Sequence, residues 1–305
     1  MWLILAFMSA ALLGCYDSLK KDALKSNAVI PVLFLNTLFS SLVFLPFILL
    51  SSTTNALDGT IFHVASGGWE MHRYILLKAL IVLSSWILGY FGMKHLPLTI
   101  VGPINATRPV MVLVGALIVF GERLNLWQWT GVMLAVISFF MLSRSGKREG
   151  IDFRHDRYIY MIVGAAMLGA LSGLYDKYLM APVGAGGVGL DRMMVQSWYN
   201  IYQCGMMLAM LLLLWWPKHH ETTPFHWSWS IIGVSLFLST ADFLYFYSLS
   251  LPDAMISIVS MVRRGSVIVS FLFGALIFEE KNLKAKAIDL MLVLLGMIFL
   301  YIGSE

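Results

Sequence analysis

Charged side chains are scarce in this sequence. Only 12% of its 305 residues are Asp, Glu, Lys or Arg, whereas 59% are hydrophobic. A soluble domain carries roughly a quarter charged residues, so the chain has about half the charge that a water-exposed surface needs. Lipid is the solvent that removes this need. The composition therefore excludes an ordinary soluble protein and favours an integral membrane protein.

Cysteines and the common catalytic motifs are also few or missing. Both cysteines, Cys15 and Cys204, lie in apolar runs and predict neither a disulfide framework nor a metal knuckle. The sequence holds no P-loop, no H-E-x-x-H and no G-x-S-x-G motif, so neither ATP-driven pumping nor hydrolysis is indicated. The net charge of +4 is small, and no basic stripe predicts nucleic-acid binding. We therefore expect no cofactor, no metal and no nucleic-acid partner.

Long apolar runs, in contrast, are abundant. Ten of them are long enough to cross a bilayer core, which takes about 20 helical residues. They cover residues 2–18, 30–50, 74–93, 99–120, 126–142, 158–179, 193–216, 230–250, 255–278 and 286–303. The sequence thus predicts an all-α, multi-pass protein of the cell membrane with ten transmembrane helices. The bilayer and a small-molecule substrate are its expected partners, and a homodimer is left open.

The two halves of the chain match each other at three places in the same order. The matching pairs are Gly14-Cys15-Tyr16-Asp17 with Gly173-Leu174-Tyr175-Asp176, Gly115-Ala116-Leu117-Ile118 with Gly274-Ala275-Leu276-Ile277, and Pro97 and Arg108 with Pro252 and Arg263. Because five is an odd number, a duplicated five-helix unit lies upside down relative to its twin. Inverted repeats of this kind are a transporter architecture. We predict one repeat at 1–143, a basic connecting loop at 144–157 and a second repeat at 158–305.

A turn with a glycine, a glutamate and a basic residue ends the fourth run. Its residues are Gly115 to Arg123, followed by Trp127-Gln128-Trp129-Thr130-Gly131, and Glu279-Glu280-Lys281 is a weaker copy that lacks the glycine. This pattern resembles the drug/metabolite transporter superfamily, specifically its EamA-type ten-helix members. The resemblance implies secondary transport or exchange of a small polar metabolite, such as an amino acid, a nucleotide sugar or an organic phosphate, by alternating access.

An intramembrane lipid-modifying enzyme is the alternative function. Such an enzyme needs a cluster of His, Asp or Glu at one membrane face, whereas the ionisable residues within the apolar runs are scattered along this sequence. We therefore favour a transporter and expect no enzymatic activity.

Arginines inside the apolar runs are candidates for the substrate site, because a charge in the membrane is costly and seldom kept without a function. Arg108 follows Asn105 and precedes Pro109, which removes a helix hydrogen bond and predicts a kink. Arg263 and Arg264 occupy the equivalent place in the second repeat, and at most one of these neighbours is expected to face the same cavity as Arg108. The alternative is structural: an arginine that binds carbonyl groups or pairs with a carboxylate.

Three aspartates are candidates for coupling or gating. Asp242 shares a helix face with Tyr245. Its functional role would be to bind substrate or a coupling proton, and its structural alternative is a salt bridge to Arg263 or Arg264. Asp17 and Asp176 follow tyrosines near Lys20 and Lys177. They form either a gate or, more simply, solvated Asp–Lys pairs beside interfacial tyrosines.

Two aromatic and polar clusters complete the predicted binding residues. Trp86 and Tyr90 lie one turn apart in the third run, and Tyr202 and Gln203 belong to a cluster early in the seventh. Either cluster lines a cavity or belongs to the aromatic belt at the membrane surface.

The basic residues of the loops predict that both termini lie outside the cell. Odd-numbered loops hold 13 Lys and Arg residues, Lys20 among them, and even-numbered loops hold 5, Lys78 among them. Since cytoplasmic loops are enriched in Lys and Arg, the odd-numbered loops are predicted to be cytoplasmic. The EamA resemblance implies the opposite, with cytoplasmic termini.

A cysteine added at the C-terminus distinguishes the two orientations. The charge count predicts that an impermeant thiol reagent labels this cysteine in intact cells, because the terminus would face the medium. Protection until the cells are lysed would support the orientation that the resemblance implies.

Overall fold

The computed structural model describes residues 2–108, 110–111, 125–147, 153–251, 259, 262–278 and 283–303. Within these residues the chain is helical and contains no strand. The turn Gly115 to Arg123, Pro109 and Glu279-Glu280-Lys281 lie outside them.

Ten α-helices are found among the described residues. In chain order they are α1 (Trp2–Ala23), α2 (Val29–Thr53), α3 (Trp69–His95), α4 (Leu98–Ala106), α5 (Leu126–Lys147), α6 (Arg157–Met180), α7 (Arg192–Met210), α8 (Ser230–Ser250), α9 (Ser266–Leu276) and α10 (Leu283–Ile302). A π-helical turn, Leu211–Trp215, and a short 3-10 turn, Trp216–Lys218, extend α7. Each predicted apolar run overlaps one of these helices.

Six of the helices are long and apolar enough to cross a membrane, namely α1, α2, α3, α6, α8 and α7 with its extension. Many large apolar side chains on their outer faces are exposed, as lipid contact requires. The predicted all-α membrane class is thus confirmed. Ten spans and two inverted repeats stay predictions, because the described parts of α4 and α9 have only 9 and 11 residues.

The helices pack in pairs that are related by a shift of five helices. α1 packs on α8, and α3 packs on α6. Replacing each helix by its counterpart in the other half, α1 by α6 and α8 by α3, turns the first contact into the second. The other three contacts, α2 with α7, α4 with α9 and α5 with α10, each join a helix to its own counterpart, so the same replacement leaves them unchanged. Two repeats related by a pseudo-two-fold axis would pack in this way.

Glycines let the helices approach closely at several of these crossings. A Cβ added to Gly92 of α3 would lie 2.5 Å from Ile162 of α6, and one added to Gly102 of α4 would lie 2.9 Å from Val267 of α9. Small residues at helix contacts are typical of membrane bundles, where packing replaces the hydrophobic effect as the source of stability.

Polar side chains fix the helix ends near the start of α2. The Asn27 side chain donates to the carbonyl groups of Ala23 and His226 and accepts from the backbone N–H of Ala28 and His226. Lys21 of α1 donates to the carbonyl of Met93 at the end of α3, at 2.8 Å. These contacts hold α1, α2, α3 and the segment before α8 at one end of the bundle.

We expect Gly14→Ala to destabilise the protein. An added Cβ would lie 2.6 Å from Cγ1 of Val269 and 2.9 Å from the Ser266 carbonyl oxygen, whereas carbon atoms pack at roughly 3.5–4.0 Å. Overpacking of this kind costs about 1–3 kcal/mol, which lowers the thermal midpoint in detergent. Gly205→Ala is the control, since its Cβ would meet nothing within 4 Å. Equal midpoints for the two variants would contradict the close contact.

Candidate functional site

A cavity of about 180 Å³ lies between the two halves of the chain. Its wall is built by α1, α3 and α4 from the first half, by α6, α7, α8 and α9 from the second, and by arginines beside α4 and α9. The predicted site residues that line it are Asp17, Trp86, Tyr90, Asn105, Arg108, Asp176, Asp242, Tyr245, Arg263 and Arg264. Residues that are far apart in sequence therefore meet in one place.

A buried ion pair between Lys78 and Asp176 joins α3 to α6 at the cavity wall. The Lys78 side chain is only 2% exposed, and its ammonium group also lies 5.1 Å from the ring centre of Tyr199. Lys78 is not a loop residue, as the loop count assumed, because it lies within α3. The side chain of Lys177, the expected neighbour of Asp176, lies outside the described side chains.

A second ion pair joins Arg263, beside α9, to Asp242 of α8. The hydroxyl group of Tyr199 donates to the other carboxylate oxygen at 2.9 Å, and the Arg263 guanidinium group lies 4.1 Å from the ring centre of Tyr245. Asp242 thus forms the salt bridge that was one of its two predicted roles.

The third pair joins Lys20 and Asp17 at 2.9 Å within α1. Lys20 and the neighbouring Tyr16 are buried, so the expected solvated pair beside an interfacial tyrosine is wrong. The Lys20 ammonium group lies 4.2 Å from the ring centre of Tyr16 and 5.2 Å from that of Tyr90. The loop count places Lys20 in an odd-numbered loop and Lys78 in an even-numbered one. Removing both therefore leaves the excess of basic residues in the odd-numbered loops unchanged.

Arg108 lies just after a break in α4. The helix ends at Ala106, and the Thr107 hydroxyl donates to the carbonyl of Ile104. The guanidinium group donates to Oδ1 of Asn105 at 3.0 Å and packs on Gly169 of α6. A Cβ added there would lie 2.7 Å from both Cζ and Nη1 of Arg108, so only glycine leaves room for this position.

Arg263 and Arg264 both line the cavity, so the expectation that at most one of them would do so is wrong. The helix is interrupted directly after the pair, because Gly265 forms a turn that precedes α9. Arg263 and Arg264 are themselves helical, so their side chains start about 100° apart. Both nevertheless reach the cavity, because arginine side chains are long.

Positive charge exceeds negative charge around the cavity. Among the described residues, five cations line it and three carboxylates do, which leaves two positive charges in excess. The ion pairs account for Lys20, Lys78 and Arg263. Arg108 and Arg264 have no carboxylate partner in the described part of the chain, and the Nε of each is buried without a hydrogen-bond acceptor there.

The carboxylates are not scattered in space as they are in sequence. Asp17, Asp176 and Asp242 all line the cavity, which corrects the argument used against an enzyme. Each of the three, however, is held by a cation. No group of three or more His, Cys, Asp or Glu residues that could hold a metal is found among the described residues.

Two predicted residues lie away from the cavity. The Tyr202 hydroxyl is 2.8 Å from Nδ1 of His72, beside Trp198. Gln203 is fully buried, but it is absent from the cavity wall. Tyr199, from the same cluster as Tyr202 and Gln203, does line the cavity. Lys20 and Lys78 were not predicted for the site; the position of Lys78 inside the third apolar run is the signal that could have indicated it.

Comparison with known proteins identifies the type of chain that carries this cavity. Residues 1–144 match the EamA-like transporter family. The first half is similar to that family. The predicted resemblance to the drug/metabolite transporter superfamily is thereby confirmed, and the match indicates a multi-pass membrane transporter of this type.

A solved structure shares the fold of the whole chain. One solved crystal structure, 11% identical in sequence, superposes with a TM-score of 0.65 over 99% of this chain and 97% of its own. At this identity the likeness shows the fold alone. No curated protein matches the sequence significantly.

We expect Asp242→Asn to destabilise the protein, because it leaves the largely buried charge of Arg263 without a partner. Breaking a buried ion pair from one side typically costs about 3–5 kcal/mol. Asp242→Leu combined with Arg263→Leu should cost less than the sum of the single variants in a double-mutant cycle of unfolding. Asp58→Asn is the control, since Asp58 is more than half exposed. Additive effects would show that the pair is not coupled.

Proposed function

We propose that the protein is a secondary transporter of a small metabolite that carries an anionic group, and that it works in the cell membrane by alternating access. Arg108 and Arg264 would bind the anionic group, with Asn105 and Tyr245 beside them. Trp86 and Tyr90 would pack against the rest of the substrate.

The two unpaired guanidinium groups are the observation that carries this proposal. A buried cation without a counter-charge is unfavourable, since its lost hydration is not replaced. A carboxylate or phosphate between Arg108 and Arg264 would restore the balance and accept hydrogen bonds from the orphaned Nε groups. An amine would instead add to the positive excess.

The size of the cavity favours the smaller of the expected substrates. Its 180 Å³ compares with roughly 300–1,000 Å³ for pockets that hold drug-sized ligands. A carboxylic amino acid or a small organic phosphate is of the right scale. A nucleotide sugar, with its base and two sugar rings, would need a larger cavity.

Three features support alternating access. The cavity lies between the halves, the helix pairs exchange under a five-helix shift, and the helices that carry Arg108 and Arg263 are interrupted beside them. Discontinuous helices at the interface of inverted repeats form the substrate sites of many transporters.

The ion pairs would act as gates. Asp17 and Asp176 occupy equivalent places in the two repeats, and their pairs with Lys20 and Lys78 would open and close together. The Asp242–Arg263 pair would open when substrate or a proton competes for its partner.

We expect small carboxylates or organic phosphates to stabilise the purified protein against heat. A ligand at 100 times its dissociation constant adds about 2.7 kcal/mol to the folded state, which is visible as a raised thermal midpoint. Arg108→Gln and Arg264→Gln should each abolish the shift. Arg73→Gln is the matched control, because Arg73 pairs with Glu70 on the exposed surface. A shift caused by amines alone, or one retained by both cavity variants, would refute the anion site.

Gly169→Ala tests the same site without altering its charge. The added Cβ would push the Arg108 guanidinium group from its place, so binding should weaken although both arginines remain. Gly173→Ala is the control, since Gly173 also lines the cavity but has room for a Cβ. Proteoliposomes should then take up or exchange the ligand identified by the midpoint shift. Binding without any movement across the membrane would exclude a transporter.

A further inference from the structure

Buried polar side chains collect where α2, α7 and α8 meet, away from the wall of the central cavity. All are at least 95% buried and have a side-chain oxygen or nitrogen without a partner in the described part of the chain. We call this group the polar seam; its residues are Asn36, Ser40, Gln196, Ser197, Gln203 and Ser239.

The polar seam is one continuous region rather than separate sites. Ser41 of α2 donates to the Asn200 carbonyl of α7 at 2.8 Å, and Gln196 of α7 donates to the Ser239 carbonyl of α8 at 3.2 Å. Gln196 and Gln203, two turns apart, share one face of α7 with Asn200 between them. The seam residues therefore belong to three helices that hydrogen bonds join to one another.

The polar seam adjoins the central cavity at two points. The Asn36 amide donates to the hydroxyl group of Tyr90, a cavity residue, at 3.0 Å. Ser239 lies one helical turn before Asp242, whose carboxylate lines the cavity.

The chemistry of the orphaned atoms distinguishes between possible occupants. Buried polar groups that lack a protein partner are normally satisfied by ordered water. A metal cation would need its oxygen ligands within about 2.6 Å, whereas Gln196 and Gln203 are roughly 10 Å apart along the axis of α7. Gln203 also presents an unpartnered N–H group, which water can accept from and a cation cannot.

We propose that the polar seam binds a chain of water molecules that adjoins the central cavity. Water can bridge donors and acceptors in three helices at once, and it would satisfy both ends of the Gln203 amide. Since α2 belongs to the first half and α7 and α8 to the second, these waters would lie between the halves. The inference does not depend on the identity of the substrate.

An experimental structure in lipid nanodiscs, at a resolution that shows water, is the direct test. Separate water densities are expected within hydrogen-bond distance of the Gln203 amide, Ser40 and Ser197. Side chains that pair with each other without such density would overturn the proposal. A single peak held by five or six oxygens at roughly 2.4 Å would do so too, because it would be a cation.

Stability measurements test the proposal in solution. Ser40→Ala and Ser197→Ala should each lower the thermal midpoint by roughly 2–4 °C, equally in sodium and choline chloride, because bound water loses a partner. Ser235→Ala is the matched control; its buried hydroxyl donates to Ile232 within α8, at 2.9 Å, and its loss should change the midpoint less. An unchanged or raised midpoint in the seam variants would indicate a dry interface. A sodium-dependent midpoint that these variants abolish would indicate a cation.

Discussion

A charge inside a bilayer needs an opposite charge or a polar partner, and the arrangement of the central helices follows from this requirement. Lys78 and Asp176 join α3 to α6, and Arg263 and Asp242 join α8 to the segment before α9. Ion pairs thus connect helices from both halves of the chain around one cavity. The same requirement applies to Arg108 and Arg264, because two positive charges without a carboxylate partner beside a cavity in the membrane would favour an anionic ligand. The pairs position the helices, and the excess charge would select what binds between them.

Close packing would strengthen this electrostatic selection. Gly92 and Gly102 allow α3 and α4 to approach their partners, and Gly169 leaves space for the Arg108 guanidinium group. Water is excluded where helices meet this closely, which lowers the local dielectric constant and strengthens the attraction between a guanidinium group and an anion. A side chain in place of Gly169 would thus disturb binding through geometry alone. Packing and charge act here on the same residue.

Hydropathy and repetition were enough to predict the membrane class and six of the eight charged residues that line the cavity. Asp17 and Asp176 were found as a repeated pair, and Arg108 and Arg263 as charges in apolar runs at matching places. Lys78 was missed because its run was taken to start only four residues earlier, so its charge was read as part of a loop. Its partner is 98 residues away, and no local pattern reveals a contact over that distance. Arg264 was misjudged because neighbouring arginines on one helix point about 100° apart but are long enough for both to reach the same cavity.

Gln203 shows why polarity within an apolar run does not by itself identify a substrate site. Charged side chains line the cavity, whereas the orphaned atoms of the polar seam belong to neutral amides and hydroxyl groups. Such groups would bind water without altering the charge balance. The two regions meet at Tyr90, whose hydroxyl accepts from Asn36 and whose ring lies 5.2 Å from the Lys20 ammonium group. A movement of α3 relative to α1 would therefore act on the Asp17–Lys20 pair and on the seam together. Substrate binding at the cavity and hydration between the halves would then be coupled through one side chain.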